Sequence, residues 1–124
     1  MSFTPAIETA ANALPTIATT QGPDLQRHRR EHIRWLLLLH LSTARPGETV
    51  DTSLLPALRS NHHDITRHEM QCHLEYLALK GLLSVREQMG YWHVRLTAEG
   101  IDFAEYTSNA LPGIARPPRP WMEV

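Results

Sequence analysis

The 124-residue chain is long enough for one domain with a single hydrophobic core, and its content of 42% hydrophobic and 20% charged residues is typical of globular proteins. A net charge of -1 excludes a highly basic, histone-like binder, and a single cysteine, Cys72, excludes an intrachain disulfide. The apolar run Leu36–Leu39 is far shorter than the ~20 residues that cross a membrane. No basic segment precedes an apolar one at the N-terminus, so we expect a cytoplasmic protein without a signal peptide or membrane contact.

The two ends of the chain differ from its middle. Residues 1–23 carry one charged side chain, Glu8, and are punctuated by proline and glycine, which predicts an N-terminal arm that is flexible or ordered on a partner. Residues 110–124 are rich in proline and contain Arg-Pro-Pro-Arg-Pro as well as Trp121, which predicts an extended C-terminal tail. The sequence therefore places one folded domain at residues 24–109.

The first predicted helix follows Asp24, a favourable N-cap, and runs from about Leu25 to Thr43. Apolar residues recur along it at helical spacing. The predicted buried face consists of Leu25, Ile33, Leu36, Leu37, His40 and Leu41. Pro46 and Gly47 then end the helix.

Two shorter helices and a brief extended piece are predicted next. After residues 48–50, Asp51 or Thr52 is expected to cap a helix that spans about Ser53–Ser60. Asp64 is expected to cap a third helix that runs to Lys80, and Gly81 follows at the position that favours a left-handed backbone. The apolar stripe of this third helix consists of Met70, Leu74 and Leu77, flanked by Ile65 and His73.

A hairpin and a last helix complete the pattern. The strands are predicted at Leu82–Glu87 and Tyr91–Leu96, with Gly90 supplying the positive φ of the turn. Along the second strand, Trp92, Val94 and Leu96 alternate with Tyr91, His93 and Arg95. Thr97 is expected to cap a final helix from Ala98 to about Ser108. The fold class is therefore mainly α with a small β-hairpin (α+β), in the order α-(β)-α-α-β-β-α.

This order, and two stretches within it, resemble the winged helix-turn-helix. Residues 73–83, HLEYLALKGLL, resemble the end of a recognition helix that leads into the first strand of the wing. Residues 92–100, WHVRLTAEG, resemble the returning strand and its exit into a helix. The layout and the segment PGIARP at residues 112–117 are also similar to the small winged-helix (ArsR-like) proteins of Mu-like phages and prophages. The resemblance implies a DNA-binding regulator of phage or bacterial origin, in the host cytoplasm if the gene belongs to a phage.

Winged helices usually place the third helix in the major groove of DNA and the wing on the backbone. Arginine pairs with guanine and glutamine with adenine through two hydrogen bonds each, so both residue types suit this surface. The candidate DNA-binding residues in the third helix and the turn before it are Asn61, His63, Thr66, Arg67, His68 and Gln71. The candidates in the wing are Arg86, Gln88 and Arg95.

The charge balance leaves an alternative open. Pro23–Leu96 contains ten basic and eight acidic residues, whereas most DNA-binding domains are more basic. The alternative hypothesis is a winged-helix module for protein–protein interaction or dimerisation that does not bind DNA. Under either hypothesis we expect a homodimer, formed by the arm, the first helix and the last helix.

Two groups of histidine, cysteine and aspartate residues have a spacing that would let them share a metal ion, but the signal is weak. His28 and His32 lie four residues apart, and Asp64, His68 and Cys72 follow one another at the same spacing. The sequence lacks HExxH and CxC motifs, so we predict no metal site and no cofactor. It also lacks a phosphate-binding glycine loop and a serine nucleophile motif, so we predict no catalytic residue and no enzymatic activity.

Overall fold

A computed structural model describes residues 22–119 of the chain. The predicted arm up to residue 21, and the part of the predicted tail that contains Trp121, lie outside the described residues. The described residues divide into a unit that ends at Arg30 and a unit that begins at Glu31. The first helix crosses this division, and all other described elements belong to the second unit.

The observed elements follow the predicted order and confirm the α+β class. The helices are α1 (Pro23–Thr43), α2 (Asp51–Arg59), α3 (Arg67–Leu79) and α4 (Ala98–Ala104). The strands are β1 (Thr49–Val50), β2 (Leu83–Gln88) and β3 (Tyr91–Leu96). They form an antiparallel sheet in the order β1-β3-β2, an arrangement compatible with a winged helix, and we call the β2–β3 hairpin the wing. Within residues 22–119, no helix is both long and apolar enough to cross a membrane.

The core confirms the predicted stripe of α3 and revises the predicted face of α1. Met70, Leu74 and Leu77 are fully buried, because their spacing places them on one side of the helix. In α1, Leu25 was expected in the core but is 52% exposed, whereas Trp35 is buried and contacts the ring of Phe103 edge-on. The other buried apolar residues of α1 are Ile33, Leu37, Leu38 and Leu41.

The starts of α2 and α3 differ from the sequence prediction. Thr66, not Asp64, is the N-cap of α3, because its backbone is extended and its hydroxyl accepts a hydrogen bond from the amide of Glu69. Helix α2 begins at Asp51 itself, after Val50, and its N-cap makes no side-chain hydrogen bond. The carboxylate of Asp51 is instead buried against other elements.

Other local predictions are confirmed. Gly81 and Gly90 both have a φ of 83°, and the wing turns through Met89 and Gly90, which are both left-handed. Two successive residues with positive φ give the turn whose twist matches that of an antiparallel hairpin. The hydroxyl of Thr97 accepts a hydrogen bond from the amide of Gly100, as expected of an N-cap.

Helix α4 is shorter than predicted, and it ends where the backbone turns left-handed. It stops at Ala104, and Tyr106 has a φ of 67°. The amide of Tyr106 donates to the carbonyl of Phe103, and the amide of Thr107 donates to that of Asp102. These two bonds form a Schellman motif, which satisfies carbonyls at the helix end.

The described part of the predicted tail contacts the rest of its unit. Ile114 is buried, and the amide of Ala115 donates to the carbonyl of Glu31 in α1. The guanidinium of Arg116 lies over the rings of Phe103 and Tyr106, at 4.6 and 4.5 Å from their centroids. The segment is therefore packed, and it is not uniformly extended, because it turns at Pro112 and Gly113, where Gly113 has a φ of 88°.

The packing of α3 predicts a large difference between two nearby leucines. Leu77→Ala should lower the free energy of unfolding by roughly 2–5 kcal/mol, because a fully buried side chain leaves a cavity. Leu79→Ala is the matched control, since Leu79 is on the same helix and 82% exposed. Urea denaturation followed by circular dichroism measures both, and equal losses would show that the assigned helix faces are wrong.

Candidate nucleic-acid interface

The first two turns of α3 are tied to a buried carboxylate. Asp51 is 0% exposed, and its Oδ2 accepts hydrogen bonds from Nε of Arg67 at 2.9 Å and Nε2 of Gln71 at 3.0 Å. Its Oδ1 accepts one from the backbone amide of Trp92 at 3.2 Å. Arg67 and Gln71 were predicted to contact bases, but in this structure both hold Asp51.

The pKa of Asp51 is lowered although the residue is buried. Burial alone would raise this pKa, because it disfavours the charged form. Hydrogen bonds from Arg67, Gln71 and the amide of Trp92, together with the charge of Arg67, outweigh burial and hold the pKa of Asp51 below its ordinary value. The carboxylate is therefore ionised at neutral pH.

The outer face of the wing brings the predicted wing candidates together. Side chains alternate between the faces of a strand, and the register pairs Ser84 with Arg95, Arg86 with His93, and Gln88 with Tyr91. These six residues therefore share one face, which we call the outer wing face. Val85, Val94 and Leu96 lie on the opposite face and are wholly or partly buried. The alternation in the sequence already places His93 and Tyr91 beside Arg95.

One acidic side chain, Glu48, contacts the outer wing face. Its Oε1 lies 2.7 Å from Nη2 of Arg86 and 3.9 Å from Nδ1 of His93. The hydrogen bond from Arg86 is the main cause that lowers the pKa of Glu48, with smaller contributions from the charges of Arg86, His93 and Arg95. Arg86 also donates to the side-chain oxygen of Gln88. Arg95 is exposed on the same face.

The remaining candidates lie in or beside the turn before α3. Asn61 and His63 are exposed in this turn, and Thr66 caps α3. His68 is exposed in the first turn of the helix, whereas Arg67 and Gln71 are partly buried. His62, next to these candidates, instead bonds His32 of α1, with Nε2 and Nδ1 2.8 Å apart.

Net charge is low across the whole candidate interface. Glu48–Leu96 contains five basic and six acidic residues. Asp51 pairs with Arg67, and Glu48 pairs with Arg86. The exposed face of α3 adds Glu75 and the apolar Leu79. Positive charge is therefore concentrated on the outer wing face rather than on α3.

A shallow cavity lies between α3 and the wing. It is lined by His68, Gln71, Cys72, Glu75 and Trp92. The Sγ of Cys72 lies 3.7 Å from Nε2 of His68. Among the residues that the structure describes, no three histidine, cysteine or acidic side chains are grouped so that they could hold a metal ion.

Comparison with known proteins gives no match: neither a family model, nor a curated protein, nor a solved structure is significantly similar to this chain.

The Asp51 network predicts that stability depends on pH under acidic conditions. A carboxylate with a lowered folded-state pKa stabilises the fold above its unfolded pKa of ~3.9, and that stabilisation is lost as the pH falls through the folded value. Asp51→Asn should therefore lower the free energy of unfolding at pH 7 by about 1.5–3 kcal/mol, because charged hydrogen bonds are lost. The difference between variant and wild type should shrink below about pH 4.

Urea denaturation at pH 7 and at pH 3 measures this difference. Glu87→Gln is the control, since Glu87 is an exposed wing carboxylate. A loss for Asp51→Asn that stays the same at both pH values would contradict the ionised state of Asp51.

Proposed function

We propose that the chain is a sequence-specific, double-stranded DNA-binding transcription regulator of the winged-helix class. Helix α3 would enter the major groove, and the outer wing face would contact the phosphate backbone. The observation that carries this proposal is the outer wing face, where Arg86, Arg95 and His93 are opposed by one carboxylate, that of Glu48. Arginine is the side chain best suited to grip phosphate.

The wing contributes most of the attraction in this proposal. Phosphate contacts position a protein on DNA and carry little sequence information. With two arginines on the outer wing face and a near-neutral α3, we expect few phosphate contacts and a shallow dependence of affinity on salt. Binding then requires low ionic strength or a high-affinity site.

In this proposal, fewer residues contact bases than the sequence predicted. Arg67 and Gln71 could reach bases only by giving up hydrogen bonds to Asp51, which would leave a buried carboxylate without its partners. Thr66 and His68 are exposed at the start of α3 and need no such exchange. We therefore assign base contacts to this first turn, with Asn61 and His63 beside it.

The proposed site implies a class of protein and a place of action. A regulator that reads double-stranded DNA would act in the bacterial cytoplasm, in keeping with the phage or bacterial origin inferred from the sequence resemblance. We also propose a homodimer, because dimers read paired half-sites. Analytical ultracentrifugation of the full chain tests the dimer: a species of twice the 14.1 kDa chain mass supports it, and a monomer at micromolar concentration overturns it.

The wing arginines give the direct test of DNA binding. Arg86→Ala and Arg95→Ala should each weaken binding to every duplex by about tenfold, the lower end of what a hydrogen bond to a charged group contributes. Each should also reduce the slope of log affinity against log salt by about 0.9. Fluorescence anisotropy with the upstream region of the gene and with a scrambled duplex, at two salt concentrations, measures both effects.

Arg45→Ala is the matched control for this test. Arg45 is an exposed arginine that pairs with Glu105, away from the wing strands in the sequence. Equal losses for Arg45→Ala and Arg86→Ala would indicate a general charge effect and would contradict a wing-specific contact.

Glu48 predicts an effect of the opposite sign. Glu48→Gln should strengthen DNA binding, because it removes a carboxylate that contacts the outer wing face and releases Arg86. The same anisotropy titration checks this expectation, with Glu87→Gln as the control on the opposite face of the wing. Weaker binding by Glu48→Gln would mean that Glu48 itself contacts the partner. That result would contradict a phosphate contact at this face, because phosphate repels a carboxylate.

A protein-interaction module without DNA binding is the second candidate. Two exposed apolar side chains favour it: Leu79 is 82% exposed on α3, and Met89 is 89% exposed at the tip of the wing. If the wild-type protein binds no duplex at low salt while Leu79→Ala changes its oligomeric state, this second function replaces the first.

A further inference from the structure

Three elements meet at one buried carboxylate. Asp51 is the first residue of α2, Arg67 and Gln71 lie one helical turn apart in α3, and Trp92 is the second residue of β3. Both carboxylate oxygens are used: Oδ2 by the two side chains and Oδ1 by the backbone amide. Asp51 is fully buried, and a buried charge is costly unless its hydrogen bonds are kept. Those hydrogen bonds therefore constrain the position of each element that donates one.

The guanidinium of Arg67 extends this constraint to the tip of the wing. Its Nε donates to Asp51, and its Nη2 donates to the carbonyl of Gly90 at 2.8 Å. The same group lies 5.9 Å from the ring centroid of Tyr91. The wing turn is therefore tied to the first turn of α3 through one planar side chain. Lysine could not reproduce this bridge, because its ammonium is a single point of contact.

We propose that Asp51 is a positioning residue that fixes the wing relative to α3 through Arg67 and Trp92. This inference deepens the proposed function and rests on it where DNA is concerned. The distance between α3 and the outer wing face decides whether groove and backbone contacts form together. Arg67 then acts on DNA through the position of the wing, and not by pairing with guanine.

The same hydrogen bonds give a reason for a buried aspartate at position 51, where an apolar side chain would also be buried. Apolar contacts between α3 and the sheet are tolerant of sliding, whereas hydrogen bonds to a carboxylate have fixed directions. Buried ionic groups contribute little net stability but specify one arrangement in some proteins. Asp51 has this role for the wing.

The positioning role is tested first in the DNA-free full chain. Hydrogen exchange measured by NMR reports on the Trp92 amide, which donates directly to Asp51. In Asp51→Ala and in Arg67→Lys, this amide should exchange at least about tenfold faster, while the amides of Leu74 and Leu77 change far less. Asp102→Asn, a charge change at an exposed position of α4, should leave the exchange of Trp92 as it is.

Arg67→Lys keeps the test decisive if Asp51→Ala does not fold. Arg67 is at the surface and its side chain is 40% exposed, so the lysine variant keeps its charge and its place in the helix. Unchanged exchange of Trp92 in folded Arg67→Lys would overturn the positioning role.

DNA binding supplies the second arm of the test. In the wild-type background, Arg86→Ala should weaken DNA binding. In the Arg67→Lys background it should weaken binding less, because a wing that is no longer held in place already contacts DNA less well through Arg86. Strictly additive losses would overturn the link between Asp51 and DNA contact. If the wild-type protein binds no duplex while Arg67→Lys still speeds the exchange of Trp92, the proposed function fails and the positioning of the wing stands.

Discussion

The buried pair of Asp51 and Arg67 is the constraint on which the candidate interface depends. It joins the start of α2, the start of α3 and the wing turn, which are far apart in the sequence. The hydrophobic core brings α3 and the sheet together, but apolar contact alone leaves their relative position loosely defined. The carboxylate, with its three donors, defines it. The position of the wing relative to α3 is therefore set by polar contacts at a buried point.

Because of this constraint, α3 and the wing would have different roles in the candidate interface. Arg67 and Gln71 occupy the positions on α3 where base recognition is expected, yet both are committed to Asp51. The basic groups that face outward are on the wing, and they are opposed by Glu48. Under the proposed function, the chain attracts DNA weakly and mainly through its wing. Discrimination between sequences then depends on the few exposed polar groups at the start of α3.

The sequence predicted the order of elements well, because the decisive signals are local. Gly81, Gly90 and Thr97 have the backbone or capping roles that their residue types predict, and the strand Tyr91–Leu96 has its predicted limits. The alternation along that strand was also enough to group Tyr91, His93 and Arg95 on one face. Local pattern and tertiary packing agree at these positions.

The sequence failed where the role of a residue depends on distant partners. An aspartate just before a helix is usually a cap, so the burial of Asp51 and its bonds to α3 and the wing could not be inferred from its neighbours. For the same reason, the sequence predicted Asp64 as the N-cap of α3. In the structure the N-cap is Thr66, whose backbone is extended and whose hydroxyl accepts a hydrogen bond from the amide of Glu69.

Composition gave an incomplete description of residues 110–119. Proline predicted an extended tail, but not the turn at Pro112 and Gly113 or the stacking of Arg116 on Phe103 and Tyr106. These contacts join separate segments of the chain, so no local pattern in the sequence marks them.

The proposed function requires that the outer wing face and the first turn of α3 both contact the same DNA duplex. Titration of the isotope-labelled protein with a short duplex, followed by NMR, tests it most directly, because each backbone amide reports its own environment. We expect the amides of Arg86, His93, Arg95 and His68 to shift together along one saturable curve. Shifts confined to Leu79 and the C-terminal end of α3, or no shift at any residue of the wing, would contradict it.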